Sequence, residues 1–368
     1  MKHFLITVQL SRMTGERTYD AAYNRIIGNR DRVLSGKVNC IPFKLNRLQK
    51  FVPGLEPKTY TIITASSGVG KSKLAKLLYV IRAYEYVRDN PDCGIKLKIF
   101  YFCLEEYREI FMQSLIIHRL YSLYGKRVDI KVLNSMQPEN VLDEETVEQI
   151  RDLKEYFDEM ERNCLVIYDR LKSPEKIYHA LKSYAEKNGR WENDVYIPND
   201  PEELIVPIFD HVSLLQPSKG ESLHEAINRF SSNFLVDLRN TYGMSPIVVQ
   251  QQSSDKEKQV YTTSGSSVES KLEPSLDGLA DNKKTQRDAD MVLGLFAPNR
   301  YEIPQHRGYN IRKMQDFYRS VSVLKNRYGA SNLRVGTFFD GCVGDFVELP
   351  NVSDEVQMSR VFNLIETL

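Results

Sequence analysis

The stretch Thr61–Ser72, TIITASSGVGKS, decides the fold of this chain. Its apolar start predicts a strand from Tyr60 to Thr64. A loop of small residues then leads into a predicted helix from Lys71 to about Val87. Exposed backbone N–H groups that open onto a helix N-terminus can hold phosphates without bulky side chains in the way. The segment therefore predicts a nucleoside triphosphate site, with an ordinary strand–turn–helix as the competing interpretation.

Each part of this solvent-facing loop has an expected role in binding ATP and Mg²⁺. Lys71 is expected to reach the β- and γ-phosphates, and the Ser72 hydroxyl to hold Mg²⁺. The full pattern has glycine where this chain has alanine. The residues assigned to the nucleotide are Ala65, Ser66, Ser67, Gly68, Val69, Gly70, Lys71 and Ser72.

Composition limits the class of protein. With 368 residues, 42% of them apolar, the chain can bury a sizeable core, and a net charge of +1 gives no overall basic field that would advertise nucleic acid. Its five cysteines form no CxxC pair, so we expect reduced thiols and no zinc. The N-terminus has too short an apolar run for a signal peptide and no segment is long enough to span a membrane, which predicts a cytoplasmic location.

Strands and helices alternate along most of the chain, as in a mostly parallel twisted sheet flanked by helices. Three regions are expected: an N-terminal extension at 1–44 with one helix at about Tyr19–Leu34, a main domain at 45–350 with a β-rich C-terminal third, and a tail helix at 351–368. A single charged helix is expected at about Glu144–Arg162, a surface insertion at Gly189–Pro201 and a mobile loop at Ser253–Ser275.

Polar residues follow the predicted strands of the main domain, where ligands bind in open α/β sheets. Glu105 is positioned to polarise an attacking water, and Asp210 to hold the magnesium shell. Gln252 could detect the γ-phosphate through hydrogen bonds, and Lys325 and Arg327 end a later strand. Each also has an ordinary interpretation, because strand-end acids often cap helices and strand-end basic residues are usually solvated.

Six ordered segments resemble the ATPase domain of DnaB-type replicative helicases, a RecA-like P-loop NTPase fold. The first contains the phosphate loop, and FCLEE is similar to the family's Ser-Leu-Glu-Met segment. The others resemble its Walker B strand, its sensor strand, its Gln-Asp-Ala-Asp segment and its Lys-Gln-Arg-Asn-Gly hairpin. In this chain those four read LIVPIFDHVSLLQ, PIVVQQQ, RDADMVLGLF and LKNRYGASNLRVGTFFDG. Alanine at the first position of the phosphate loop also occurs in that family.

The resemblance implies a role for each matching residue. Glu105 matches the catalytic glutamate, Asp210 the Walker B aspartate and Gln252 the sensor. Lys325 and Arg327 match the basic pair that reaches into the neighbouring subunit's nucleotide site. The family works as hexameric rings on single-stranded DNA, so the resemblance implies ATP-dependent helicase activity in replication, a homo-oligomer, and a primase or helicase loader as further partners.

The chain departs from the family at a DNA-contacting loop, where it reads Gly278-Leu279-Ala280-Asp281-Asn282-Lys283 and lacks the family's arginine. Lys283 and Lys284 are the expected phosphate contacts, with Lys219 as a weaker candidate. No part of the chain matches the family's N-terminal primase-contacting domain, although the helix in 1–44 could serve as its linker helix. By analogy, a short chain of this type is typical of a phage, which would place it in the host cytoplasm.

Two other functions compete with the helicase. One is a RecA- or RadA-like recombination protein or a KaiC-like regulatory ATPase, in which hydrolysis times assembly without unwinding. The other is a switch that binds ATP and hydrolyses it poorly. Glu105 argues against the switch, and the position of Lys325 and Arg327 after the Asp-Ala-Asp segment favours the helicase over the recombinase.

Overall fold

The computed structural model describes residues 17–252 and 272–368. At its centre lies the strand that precedes the phosphate loop, β1 (Thr61–Ala65), which is buried along its whole length. A strand buried on both faces reads as a continuous apolar run, which is why this segment carries no polar alternation. β1 therefore lies inside the sheet, with strands on both sides of it.

The main sheet has nine strands, six parallel and three antiparallel. The strands after β1 are β2 (Lys96–Cys103), β3 (Leu165–Tyr168), β4 (Glu203–Asp210), β5 (Ile247–Gln251), β6 (Met291–Phe296), β7 (Tyr318–Asn326), β8 (Arg334–Asp340) and β9 (Asp345–Glu348). Their spatial order is β9-β8-β7-β6-β1-β5-β4-β2-β3, with the parallel strands running from β6 to β3. The predicted fold class is confirmed, including the β-rich C-terminal third.

Helices connect the parallel strands and cover both faces of the sheet. They are α1 (Thr18–Leu34), α2 (71–89), α3 (Arg108–Tyr124), α4 (Glu144–Asp152), α5 (Lys154–Asn163), α6 (Pro174–Lys187), α7 (223–240), α8 (Lys283–Asp288) and α9 (Glu355–Thr367). Two of them, α2 and α7, are continuous helices that contain an internal π-helical segment, at Leu77–Ile81 and Phe230–Leu235.

Two predicted elements differ from the structure. The single charged helix is two helices, α4 and α5, because Leu153 N donates to Ile150 O and this i to i−3 bond tightens the chain between them. The surface insertion forms a hairpin that pairs Gly189–Glu192 with Val195–Pro198. The loop prediction for Ser253–Ser275 falls mainly on 253–271, outside the described residues.

The sheet has a hydrophobic core on each face, and successive strand residues alternate between them. Ile63 and Tyr101 pack into the core beneath α2, α3 and α5. Ile62 and Phe102 pack into the core beneath α6 and α7. The two cores hold the strands rigidly, so the loops at the strand ends have fixed positions.

The N-terminal helix α1 contributes no residue to either core. Its C-terminal end is attached to the main domain, where Arg32 Nη2 donates to Gly94 O at 2.7 Å. Apolar side chains along the helix are exposed, including Tyr19 and Ile26. At the other end of the chain, α9 packs through Met358 and Ile365. The division into regions at 1–44, 45–350 and 351–368 stays a prediction.

All five cysteines are free thiols, as expected from their spacing. Within residues 17–252 and 272–368, no helix is long and apolar enough to cross a membrane.

Candidate nucleotide-binding and catalytic site

Five adjacent strands end at one edge of the sheet, and each is followed by a polar group. In spatial order the strands are β6, β1, β5, β4 and β2. Because parallel strands share the direction of their carboxyl ends, the residues after them converge on one site. In the same order, the groups are Arg300, the phosphate loop, Gln251, Asp210 and Glu105.

The phosphate loop has a backbone conformation that requires glycine at its end. Gly70 has a φ of +111°, and a Cβ there would lie 3.1 Å from Phe339 Cζ. Both the positive φ and the aromatic neighbour on β8 exclude a side chain at this position. The loop is therefore closely packed against the sheet and opens directly onto α2 at Lys71.

Three cations hold the carbonyl groups of this loop. Lys71 Nζ donates to Ser66 O at 2.8 Å, Arg300 Nη1 donates to Ser67 O, and Arg319 Nε donates to Val69 O at 2.8 Å. Backbone N–H groups in such a loop form a concave anion site. The loop fits the triphosphate that its sequence predicts.

Lys71 is buried, with 6% of its surface exposed, which corrects the expectation of a solvent-facing loop. Burial lowers the pKa of Lys71 to about 8, against the opposing influence of Asp210 and Glu105, and nearby Arg300 lowers it further. A cation in such surroundings is stabilised by an incoming negative charge, because the charge offsets the loss of hydration.

Ser72 and Asp210 form the part of the site that suits a magnesium ion. Ser72 Oγ donates to Asp210 Oδ1 at 2.8 Å, and Tyr101 OH donates to Asp210 Oδ2 at 2.7 Å. Asp210 is buried. A hydroxyl and a carboxylate side by side are the hard oxygen ligands that Mg²⁺ prefers, so the pair fits the ion.

Glu105 follows β2 and remains accessible, with 64% of its side chain exposed. Its Oε2 lies 3.5 Å from His211 Nε2, and His211 Nε2 lies 3.5 Å from Gln251 Nε2. Burial lowers the pKa of His211, with Glu105 and Asp210 acting in the opposite direction. An accessible carboxylate beside a buried, neutral-leaning imidazole is free to accept a proton.

Gln252 is not brought to this group. Its Nε2 donates to Thr64 Oγ1 at 3.0 Å and to Ser275 O at 3.2 Å. Successive side chains of a strand point to opposite faces, so Gln252 and Gln251 cannot both approach His211. The sensor role of Gln252 stays a prediction, and Gln251 is the glutamine next to His211.

Lys325 and Arg327 lie at the opposite edge of the sheet from the phosphate loop. Lys325 pairs in register with Val292 on β6, and Arg327 N donates to Asp290 O just before that strand. The buried Asp290 also binds the Arg327 side chain, with Nη1 2.7 Å from Oδ1. The length of β1, about 16 Å, separates this edge from the loop of the same chain.

Two of the lysines expected to bind DNA are exposed. Lys284 lies on α8, which packs against α7, and Lys219 lies in the loop that leads into α7. The backbone of Lys283 begins α8, and its side chain lies outside the described residues.

Sequence reasoning missed four residues of the site. Two of them adjoin predicted positions, since His211 follows Asp210 and Gln251 precedes Gln252. Arg300 was detectable as the first cation after β6, in the same way that Glu105 was found after β2. Tyr101 carried no signal, because an apolar strand gives no reason to expect its hydroxyl on Asp210.

Comparison with known proteins adds evidence for the fold. No protein-family model and no curated protein matches the chain. Among solved structures, the ATPase domain of one helicase is 17% identical with a TM-score of 0.65, over 91% of this chain and all of that one. A DnaB-like replicative helicase, described with its interactions with primase, is 18% identical with a TM-score of 0.60, over 90% of this chain and 67% of that one.

A KaiC-like protein from Pyrococcus horikoshii OT3 is 11% identical with a TM-score of 0.46, over 84% of this chain and 99% of that one. The two helicase structures confirm the fold expected from the six segments. The chain has the RecA-like fold of DnaB-type replicative helicase ATPase domains.

Proposed function

We propose that this chain is an ATP-dependent DNA helicase of DnaB type that couples ATP hydrolysis to movement on single-stranded DNA during replication. The observation that carries the proposal is the hydrogen bond from Ser72 Oγ to Asp210 Oδ1 beside the buried Lys71, with Glu105 accessible at the end of the next strand. Phosphate binding, metal binding and a base are thereby combined at one sheet edge.

The chain's own groups divide the work of hydrolysis. Lys71 stabilises negative charge on the β- and γ-phosphates, and Glu105 accepts a proton from the attacking water. Ser72 and Asp210 are the proposed holders of Mg²⁺, which neutralises charge developing on the phosphates when it is bound. Gln252 remains the proposed sensor from the resemblance, with Gln251 as the alternative that its contact with His211 favours.

Assembly into a ring, a hexamer as in the family, is part of the proposal. Arg327 and Lys325 lie a strand length from their own phosphate loop, which supports a role at the nucleotide of a neighbouring subunit. The exposed apolar residues of α1 support docking of this helix on an adjacent protomer. Lys283, Lys284 and Lys219 are the proposed phosphate contacts for DNA, and a primase or helicase loader is a further proposed partner.

Strand displacement on a forked DNA with ATP and Mg²⁺ tests this proposal. We expect unwinding by the wild type and none by Lys71→Ala, together with closed six-fold rings in single-particle images. Filaments without unwinding would identify a recombinase instead. Single particles that bind ATP without turnover would identify a switch.

A further inference from the structure

Arg300 is a cation at the phosphate loop to which neither the motifs nor the resemblance assigns a role. It lies in the turn Pro298–Tyr301 that follows β6, and its Nη1 donates to Ser67 O. The same Nη1 is 3.7 Å from the position that a Cβ on Gly68 would occupy. Arg300 therefore lies directly against the first half of the loop, while Lys71 reaches over it from the helix.

The surroundings of Arg300 differ from those of Arg319, the other arginine on this loop. Arg319 is buried, its Nη2 lies 3.0 Å from Asp316 Oδ1, and its guanidinium packs over the Phe339 ring. Arg300 is exposed, and no described carboxylate lies within ion-pair distance of it. Arg319 thus supports the loop from below as a satisfied structural group, whereas the charge of Arg300 is not neutralised.

Arg300 and Lys71 are also close enough to influence each other's charge. Burial is the main reason that the pKa of Lys71 is lowered, and Arg300 adds to the effect. Two cations that destabilise each other beside a concave set of N–H groups favour a ligand with several negative charges. Adjacent phosphates supply such charges.

We propose that Arg300 contacts the terminal phosphate of the nucleotide bound to its own subunit and so distinguishes ATP from ADP. This inference rests on the proposed function. A guanidinium carries five N–H donors in a planar fork, so Arg300 can donate to a phosphate oxygen whether it keeps or releases Ser67 O. Arg300 is then the cation supplied by the same chain, and Arg327 the one supplied by the neighbour.

The experiment measures nucleotide affinity, so that turnover plays no part in the result. A non-hydrolysable ATP analogue and ADP, each with Mg²⁺, are titrated into wild type, Arg300→Gln and Arg300→Lys. Arg312→Gln is the matched control, because Arg312 is exposed on the short helix Ile311–Met314 that follows the same turn. For Arg300→Gln we expect a loss of about 10-fold or more for the ATP analogue and less than about 2-fold for ADP. Arg312→Gln should match the wild type.

Two results would overturn the inference. Equal losses for the two nucleotides would mean that Arg300 only holds the loop through Ser67 O, and unchanged affinity for both would mean that it contacts no phosphate. Thermal unfolding without nucleotide checks that the variants fold. If Arg300→Gln unfolds, Arg300→Lys decides the question, since it keeps the charge but loses the fork and should show a smaller loss selective for the ATP analogue.

The controls separate this inference from the proposed function. A wild type that binds neither nucleotide would contradict the proposed function and this inference with it. A wild type that binds both, loses them on Lys71→Ala and is unaffected by Arg300→Gln would contradict this inference alone.

Discussion

Lys76 Nζ lies 2.6 Å from Glu106 Oε1, and this ion pair distinguishes the two adjacent acids that follow β2. Lys76 is buried on α2 and also donates to Ser114 Oγ at 3.0 Å. Glu105 instead lies beside His211 and close enough to Lys71 to influence its pKa. One acid therefore has a structural partner, and the other is accessible at the proposed catalytic site.

This difference predicts separable effects of two single substitutions. Glu105→Gln keeps the size of the side chain but cannot accept the proton, so ATP turnover should fall by ~100-fold or more while nucleotide still binds. Glu106→Gln removes the charge opposite buried Lys76, so the free energy of unfolding should fall by about 1–3 kcal/mol with turnover largely kept. Steady-state ATPase assays and urea denaturation measure the two quantities.

Turnover lost only in Glu106→Gln would transfer the catalytic role to Glu106. Equal losses of turnover in the two variants would contradict the division of roles between them.

The position of Arg327 predicts catalysis shared between subunits. Arg327→Ala should retain ATP binding and lose ~10³-fold or more of its turnover, as expected for an arginine that stabilises transition-state charge in a neighbour. The fold should persist, because Asp290 keeps its hydrogen bonds from Arg239 Nη1 at 2.7 Å and from Tyr60 N at 2.9 Å. Binding, turnover and thermal unfolding are measured on the same preparation.

Mixing two inactive variants provides the stricter test of sharing. Glu105→Gln subunits supply an intact Arg327, and Arg327→Ala subunits supply an intact Glu105. Mixed rings contain some interfaces with both groups, so part of the ATPase activity should return. Full activity of Arg327→Ala on its own would show that this arginine is an ordinary solvated side chain.

Binding of single-stranded DNA should depend on salt through α8. Replacing Lys283 and Lys284 with alanine should weaken binding and reduce the slope of log affinity against log salt by about 1.4, since each phosphate contact contributes about 0.7. Lys219→Ala should have a smaller effect. Fluorescence anisotropy of a labelled oligonucleotide over a salt series measures the slope, with exposed Lys131 replaced by alanine as the control. A slope unchanged in the double variant would place the DNA elsewhere on the protein.

Glu273 should make stability depend on pH in the acid range. Burial by itself raises the pKa of Glu273, but the hydrogen bond from His306 and the charges of Arg334 and Arg307 outweigh it and lower the pKa to about 2. The stabilisation is complete above the ordinary pKa of 4.5 and is lost as the pH falls toward 2. Its full size is about 3 kcal/mol.

Urea denaturation at pH 6 and pH 3 measures this contribution. Glu273→Gln should be less stable than the wild type at pH 6, and the difference should shrink at pH 3. Glu155→Gln, which changes an exposed acid in a weak ion pair, should follow the wild type at both values. A pH dependence unchanged in Glu273→Gln would contradict the assignment to Glu273.

The parallel core of the fold was predictable because its signals are local. A buried strand followed by glycine and a helix, repeated along the chain, specifies parallel strands with helices between them, and β1, β2 and β4 lie where the apolar runs predicted. The break between α4 and α5 was not predictable, because nothing in the charge pattern around Leu153 marks the tightened turn. The pairing of the 189–198 hairpin depends on strand register, which a short polar segment does not encode.

The sequence by itself determined the residues that end the strands, because motif spacing places Lys71, Ser72, Glu105 and Asp210 at one sheet edge. Only the tertiary structure decided which side chains meet there. The order of the strands in the sheet brings Arg300, in the turn after β6, against the loop of β1, although the two are far apart in sequence. The same order puts Arg327 a strand length away from its own loop. Such contacts depend on which strands are neighbours, and strand order is fixed by packing the whole sheet between its two cores.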